Sequence, residues 1–332
     1  MLIGSARAPL RPAASGRGGM RAHAPSGWMS REEAIMGTAI RVELWSEDAR
    51  AGSAAMAAVM DEMHRIDRTM SPHKPDSELS RINREAGAVA VPLSDEMYRL
   101  VERALEFSAL SDGAFDISYA SVGQLYDYRA GVRPSDAEIE RACAAIGWRQ
   151  LELDARTRCL RFGRPDMRID LGGFAKGHAV DNSVALLRAR GITNAMVSAG
   201  GDSHVLGDRR GRPWTIAVRD PRRAEAVVAV LPLEDVSIST SGDYERFFER
   251  DGQRHHHLID PRTGRSPSSV HSVTILADDG LTSEGLSKTV FVLGVEAGLK
   301  LVEAQRGVDA VVVDASGTLH YSSGLLGAGT RQ

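Results

Sequence analysis

The stretch Arg168–Asp181, "RIDLGGFAKGHAVD", reads as a strand that breaks at Gly172-Gly173 and continues as a helix. A helix start presents free backbone N–H groups, and together with the helix dipole these suit a phosphate. Lys176 in the first turn adds a point charge, and Asp170 at the strand end is placed to hold a ribose or base edge. The pattern is neither GxxxxGK[ST] nor GxGxxG, so by itself it is either a phosphate loop or a simple tight turn. The helix that follows closes at Gly191.

Upstream, Ile40, Val42 and Leu44 alternate as in a half-buried strand. Met56, Val59, Met60, Met63, Ile66 and Met70 then recur at helical spacing, as a core face rather than a cofactor box. "SPHKPDSELSRIN" (71–83) is a loop with a short helix, and Ser94 caps a further helix carrying Met97, Leu100, Val101 and Ala104 on one side. "SDGAFDIS" is a glycine-containing turn, 136–147 a short helix, and "LELDARTRCLRFG" a hairpin around Ala155–Arg158. Downstream come strands at 195–206, 214–219, 226–231, 236–240, 255–259 and 272–277, helices at 282–293 and 295–306, and a hairpin at 309–322. Strands mostly follow strands, with helices grouped between them. That order favours an α+β fold with mainly antiparallel sheet over a regular βαβ winding.

The bulk numbers exclude several function classes. A formal charge of −3 over 332 residues gives no basic field to hold nucleic acid. Cys143 and Cys159 have no CxxC partners, which argues against a disulfide framework or a zinc site. No apolar run approaches the roughly 18–20 residues of a membrane span. The first 30 residues, rich in Arg, Ala, Gly and Pro, lack the ~7–15-residue apolar stretch of a secretory signal. No cysteine follows to carry a lipid. The expectation is therefore a disordered tail over 1–30, one domain over 31–326, and a cytoplasmic protein.

Four other stretches carry chemistry-bearing residues. "SAGGDSHVLG" (198–207) is a bulge or hairpin corner. "STSGDYERFF" (239–248) binds phosphate through hydroxyls and backbone, or makes an Asx turn. In "RHHHLIDPRTGRSP" (254–267), alternation along a strand puts His255 and His257 on one side and His256 on the other. Three consecutive histidines therefore cannot ligate one ion. One histidine facing a pocket fits a general base, and a solvated strand end fits equally. In "LTSEGLSKTVFVLG" (281–294), Glu284, Ser287 and Lys288 line one helix face. Glu284 and Lys288 most simply form an ion pair, and a lone Glu and Ser with a Lys make a poor magnesium site.

Taken in order, "MGT", "SPHKPDSELSRIN", "GAFD", "DLGGFAKGHAVD", "SAGGD", "STSGDYERFF", "HHLIDPRTG" and "FVLG" resemble the ApbE-type FAD:protein FMN transferases over about residues 35–325. The resemblance implies an ApbE-like architecture and FAD as donor substrate. It also implies a target flavoprotein whose Thr or Ser hydroxyl receives FMN, with release of AMP. By the same resemblance Met36, His73, Ala114, Phe115, Asp116, Asp170, Lys176 and Leu258 fall at FAD-binding positions. His73 stands where the family usually has Tyr. His257 matches the catalytic histidine, leaving His255 and His256 as bystanders. The family's magnesium would fall at Gly173, through its carbonyl, and at Glu284, Ser287 and Lys288. The family pattern there is an Asp and, four residues on, a Thr; here those places hold Glu284 and Lys288. A charged lysine cannot ligate a cation. Three readings stay open: a transferase in which Lys288 stands in for metal charge, an FAD-binding protein with weak or no transfer, and an FAD pyrophosphatase.

Overall fold

The computed structural model describes residues 26–223 and 225–327. Its centre is an eight-stranded sheet made of Gly27–Ile35, Thr38–Ser46, Ala195–Ala199, Asp202–Leu206, Val236–Gly242, Val270–Ala277, Asp309–Asp314 and Leu319–Tyr321. The strands lie across the sheet in chain order, and every neighbouring pair is antiparallel. This is the expected α+β class. Such an order needs only hairpins or excursions that return to the next position, and the helices are those excursions.

The first hairpin turns at Met36-Gly37, both with positive φ (54° and 70°), in the two-residue loop that favours the twist of paired strands. Its first strand corrects the expected tail. Gly27–Ser30 are paired with Glu43–Ser46, and Trp28 packs edge-on to Trp45 and Trp214. Residues 1–25 of that expectation lie outside the described residues.

The helices Ala49–Met70, Ala175–Ala189 and Gly280–Leu293 cover one face of the sheet. Asp48 caps the first by accepting the Arg50 N–H, and its methionine stripe is buried against Ile40, Val42 and Leu44. The hairpin of Trp214–Arg219 and Val227–Leu233 covers part of the other face, over Val205, Ile238 and Leu276. Alternation therefore sorts the Val236–Gly242 strand. Ile238 goes to the hairpin side, while Ser239 and Ser241 point at the helices and meet Ser287. That polar row becomes the floor of the site.

Two expected strands differ. The segment ending at Asp170 belongs to no ladder. Its backbone is satisfied by a side chain, as Asn83 donates to the Ile169 carbonyl (2.9 Å) and accepts the Ile169 N–H (2.8 Å). The Asp170 N–H donates to the Ile117 carbonyl at 3.0 Å. The expected 255–259 strand is Gln253–His256, paired with Phe247–Arg250, so His257 lies just beyond the ladder.

Candidate functional site

Two helix starts meet at glycines. A Cβ on Gly177 would lie 2.3 Å from the Gly280 carbonyl oxygen, and one on Gly280 would lie 2.5 Å from that of Gly177. Only hydrogen fits at this crossing. Asp181 fixes it by accepting the Gly280 and Leu281 N–H groups at 2.6 and 3.1 Å, two of the free donors at that helix start. Asp279 caps the same end through Thr282.

The close approach slides Glu284 beneath the first turn of the Ala175–Ala189 helix. Glu284 is fully buried and its carboxylate is bonded at both oxygens. Oε2 accepts the Gly177 N–H at 2.7 Å, and Oε1 accepts from Lys176 Nζ at 2.5 Å and Lys288 Nζ at 3.2 Å. Lys176 also donates to the Gly172 carbonyl (3.1 Å) and lies 2.9 Å from Asp202 Oδ2. Lys288 lies 3.8 Å from Asp202 Oδ1. The Asp202 carboxylate accepts the Ser239 hydroxyl at 2.6 Å, and Ser287 bridges the Ser239 and Ser241 hydroxyls at 3.0 and 2.9 Å. The result is a cluster of two ammonium groups over two buried carboxylates.

Burial pushes the Asp202 carboxyl up, but Lys176 and Lys288 outweigh it and hold the group below its ordinary value. For Lys176, burial disfavours the charge, yet Asp202 and Glu284 more than compensate and raise its pKa. Lys176 therefore stays charged. The side chains of Lys176 and Lys288 keep 22% and 18% exposure, where those of Asp202 and Glu284 keep 4% and none.

The Gly172-Gly173 bend lies over this cluster. The Lys288 stem runs along it, since a Cβ on Gly173 would sit 3.6 Å from Lys288 Cε. Asp170 holds the bend by accepting the Gly172 N–H at 2.5 Å, and burial pushes its carboxyl up. The expectation of a free lysine and a bare helix start is thus corrected in part. Lys176 is tethered by two carboxylates, and the Gly177 N–H is taken by Glu284.

His257 is held by its backbone, whose N–H donates to the Arg246 carbonyl at 3.1 Å. Its Nδ1 is enclosed with no partner among the described residues. Burial, then the charges of His256, Arg246, Lys288 and Lys176, push its pKa down to about 3. The imidazole is therefore neutral; so low a pKa makes it a weak base in the ligand-free chain, one that the negative charge of a bound diphosphate would strengthen. Its neighbours have structural roles: His255 stacks on Phe248, while His256 bonds the Pro267 carbonyl through Nε2 (2.9 Å) and packs edge-on to Phe291.

The remaining expected residues are spread around this centre. Met36 sits in the first hairpin turn, next to Gly37, where a Cβ would lie 3.6 Å from the Arg246 guanidinium. His73 is exposed and bears electrostatically on Asp170. Ala114, Phe115 and Leu258 are buried, with Phe115 in an aromatic cluster with Phe107 and Phe174. Asp116 is committed to its own loop, accepting from the Ser118 N–H and hydroxyl and the Trp148 N–H. Three site residues went unread in the sequence. Asp202 was visible only as the acid after a Gly-Gly corner, and Arg246 only as a charge before an aromatic pair. Tyr119, which burial and Asp170 push well above its ordinary pKa, gave no signal.

The set Gly173, Glu284, Ser287 and Lys288 does not fit a divalent cation. Magnesium requires near-octahedral oxygen donors. Here Glu284 Oε1 already faces two ammonium groups, Oε2 holds a backbone N–H, and Ser287 is bonded to two serines and the Glu284 carbonyl. Lys288 fills the remaining direction with a cation of its own. Among the described residues, no group of three or more His, Cys, Asp or Glu is arranged for a metal. No described helix is long and apolar enough to cross a membrane.

Comparison with known proteins bears on this arrangement. The ApbE family profile matches residues 36–312. An FAD:protein FMN transferase of Treponema pallidum is 33% identical over 317 residues, covering 90% of this chain and 87% of the relative. One from Vibrio cholerae is 33% identical over 297 residues, covering 87% and 88%. The crystal structure of the ApbE protein of Thermotoga maritima superposes with a TM-score of 0.85 at 31% identity, over 92% of this chain and all of that one. The flavin transferase ApbE of Vibrio cholerae does so with 0.81 at 28% identity, over 91% and 99%.

Proposed function

The chain belongs to the ApbE family, and from that membership we infer that it is an FAD:protein FMN transferase. FAD is the donor and a flavoprotein the acceptor. The hydroxyl oxygen of a Thr or Ser on the acceptor attacks the phosphorus of the FMN half of FAD. The bond from that phosphorus to the bridging oxygen breaks, and AMP leaves with that oxygen. The hydroxyl proton passes to the neutral imidazole of His257.

What carries this reading is the convergence of the Gly172-Gly173 bend, the paired ammonium groups of Lys176 and Lys288, and the neutral His257. A transfer of this kind forms few covalent bonds to the enzyme, so positioning and charge neutralisation do most of the catalysis. The bend and ammonium groups receive the diphosphate. Met36, His73, Ala114, Phe115, Asp116, Asp170 and Leu258 form the surrounding walls for flavin and adenine, with Phe115, Asp116 and Leu258 acting from within the packed wall. Asp202 and Glu284 hold the lysines in place. Nothing in the comparisons favours a carrier without turnover.

The test is incubation of the purified chain with FAD and an acceptor polypeptide that the Vibrio cholerae relative modifies. The expected product is a fluorescent acceptor band that survives denaturing electrophoresis, with one AMP released per flavin attached. No attached flavin, with or without magnesium, would overturn the reading. Free FMN without attachment would indicate hydrolysis instead.

A further inference from the structure

We propose that the ammonium group of Lys288 takes the place of the divalent cation in this enzyme, so that FMN transfer proceeds without one. The inference rests on the transferase reading above and concerns how the same site neutralises the diphosphate. Its starting point is the disagreement between the magnesium expected from the family and the residues present.

The charge accounting is local. Glu284 and Asp202 bring two negative charges to the floor, both buried. Uncompensated buried carboxylates are costly, so a site of this kind needs cations. Lys176 supplies one. A divalent ion, in a chain with a small oxygen ligand at 288, would supply two positive charges where the balance needs only one more. Here Lys288 supplies it instead, 3.2 Å from Glu284 Oε1 and 3.8 Å from Asp202 Oδ1. The floor is thereby neutral before any ligand arrives.

The position also suits the reaction. The Lys288 stem lies against Gly173, so its ammonium emerges beside the bend that receives the diphosphate. An ammonium has three donors and no fixed geometry. It can satisfy Glu284 and still present a donor to a phosphoryl oxygen. Arg246 bears on His257 and Asp170, and no ion pair holds its guanidinium among the described residues. It adds a positive charge beside the Met36-Gly37 turn. Lysine is thus a catalytic residue here, contacting the phosphate that a metal would otherwise contact. In the step itself, the negative charge gathering on the bridging oxygen as its bond to the FMN phosphorus breaks is met by the Lys288 ammonium. The acceptor proton goes to His257, and no further reactant is required.

Two readouts test this on the full chain. In the first, flavin transfer is measured in excess EDTA and in magnesium. The wild-type chain should transfer at the same rate in both. Lys288→Met keeps the stem but removes the charge, and should lose about 10²–10³-fold in either condition, the usual effect of removing one preorganised donor at a developing oxyanion. Lys288→Thr should lose as much in EDTA and regain activity with magnesium. In the second, manganese binding is followed by electron paramagnetic resonance with FAD present. The wild-type chain should bind none and Lys288→Thr one equivalent.

A wild-type chain that stops in EDTA and restarts with magnesium, or that binds manganese at this site, overturns the proposal. So does Lys288→Met turning over like wild type, or Lys288→Thr gaining neither manganese nor magnesium dependence. Complete absence of transfer would instead refute the transferase reading. The manganese result would then still decide whether Lys288 occupies the cation's place.

Discussion

Acidification from pH 7 to pH 5 will destabilise the ligand-free chain by an amount set largely by two enclosed histidines. Burial, with the charges around it, holds His257 at about 3, and burial holds His204 at about 4, against an ordinary 6.5. The unfolded chain binds protons at these positions below pH 6.5, while the folded chain refuses them until far lower. Stability therefore falls as pH falls through that window, by about 1.4 kcal/mol per pH unit for each group. At pH 5 each histidine costs about 2 kcal/mol. Asp181 acts in the opposite sense. Burial raises it to about 6, so its contribution is lost as pH rises through 6 and regained on acidification, returning about 1 kcal/mol. The net loss is about 3 kcal/mol, a large part of the ~5–15 kcal/mol that typically holds a domain folded. His255, His256 and His271 are also shifted down and act in the same direction, while Asp116 and Asp170, pushed up by burial, act with Asp181. The difference between wild type and His257→Gln isolates the one group of interest. Urea unfolding of both proteins at pH 7, 6 and 5 should show wild type losing about 2 kcal/mol more than the variant, at unchanged m-value. Parallel losses in the two proteins would show that the 257 imidazole is not enclosed among cations.

Two further outcomes follow from the same geometry. Gly177→Ala places a methyl group 2.3 Å from the Gly280 carbonyl oxygen. Because both partners are backbone, calorimetry should show a loss of about 1–3 kcal/mol or more, with transfer activity falling further as Glu284 is displaced. Lys176→Met leaves Glu284 and Asp202 sharing one ammonium group. Denaturant titration should show a loss of about 3–5 kcal/mol, while Lys176→Arg, with its different reach, should recover stability better than activity.

The parts of this molecule that can be read in one dimension are those whose causes are local. Asp48, Ser94 and Ser135 cap helices from their own flanks, the methionine stripe follows a single helical period, and Gly191 ends its helix in the left-handed region. Each depends on residues only a few positions apart. What escaped depends on distant partners. The Gly27–Ile35 strand carries Arg31, Glu32 and Glu33, which hide its alternation, and it is a strand because Thr38–Ser46 lies beside it. The Arg168–Asp170 segment looks like a strand but is clamped by Asn83, whose place opposite Ile169 no periodicity reveals. Asp116 matches a binding position by motif, yet its carboxylate is spent on Ser118 and Trp148, a commitment that only the packed loop discloses.

The floor of the site shows how such distant parts constrain one another. Asp202 comes from a strand corner, Lys176 from a helix start, and Glu284 and Lys288 from another helix, so no substitution among the four is independent. Coupled charges of this kind give strongly non-additive mutational effects. Replacing Lys288 alone leaves two carboxylates and one ammonium, a deficit that either a divalent ion or a proton must fill. Replacing Glu284 together with Lys288 by an uncharged pair leaves Asp202 matched by Lys176 and should restore much of the fold's stability. It leaves only one ammonium group on the floor to meet the diphosphate. The lysine at 288 and the acid at 284 therefore make sense only together: the acid holds the lysine at the bend, and the lysine permits the acid to be buried there.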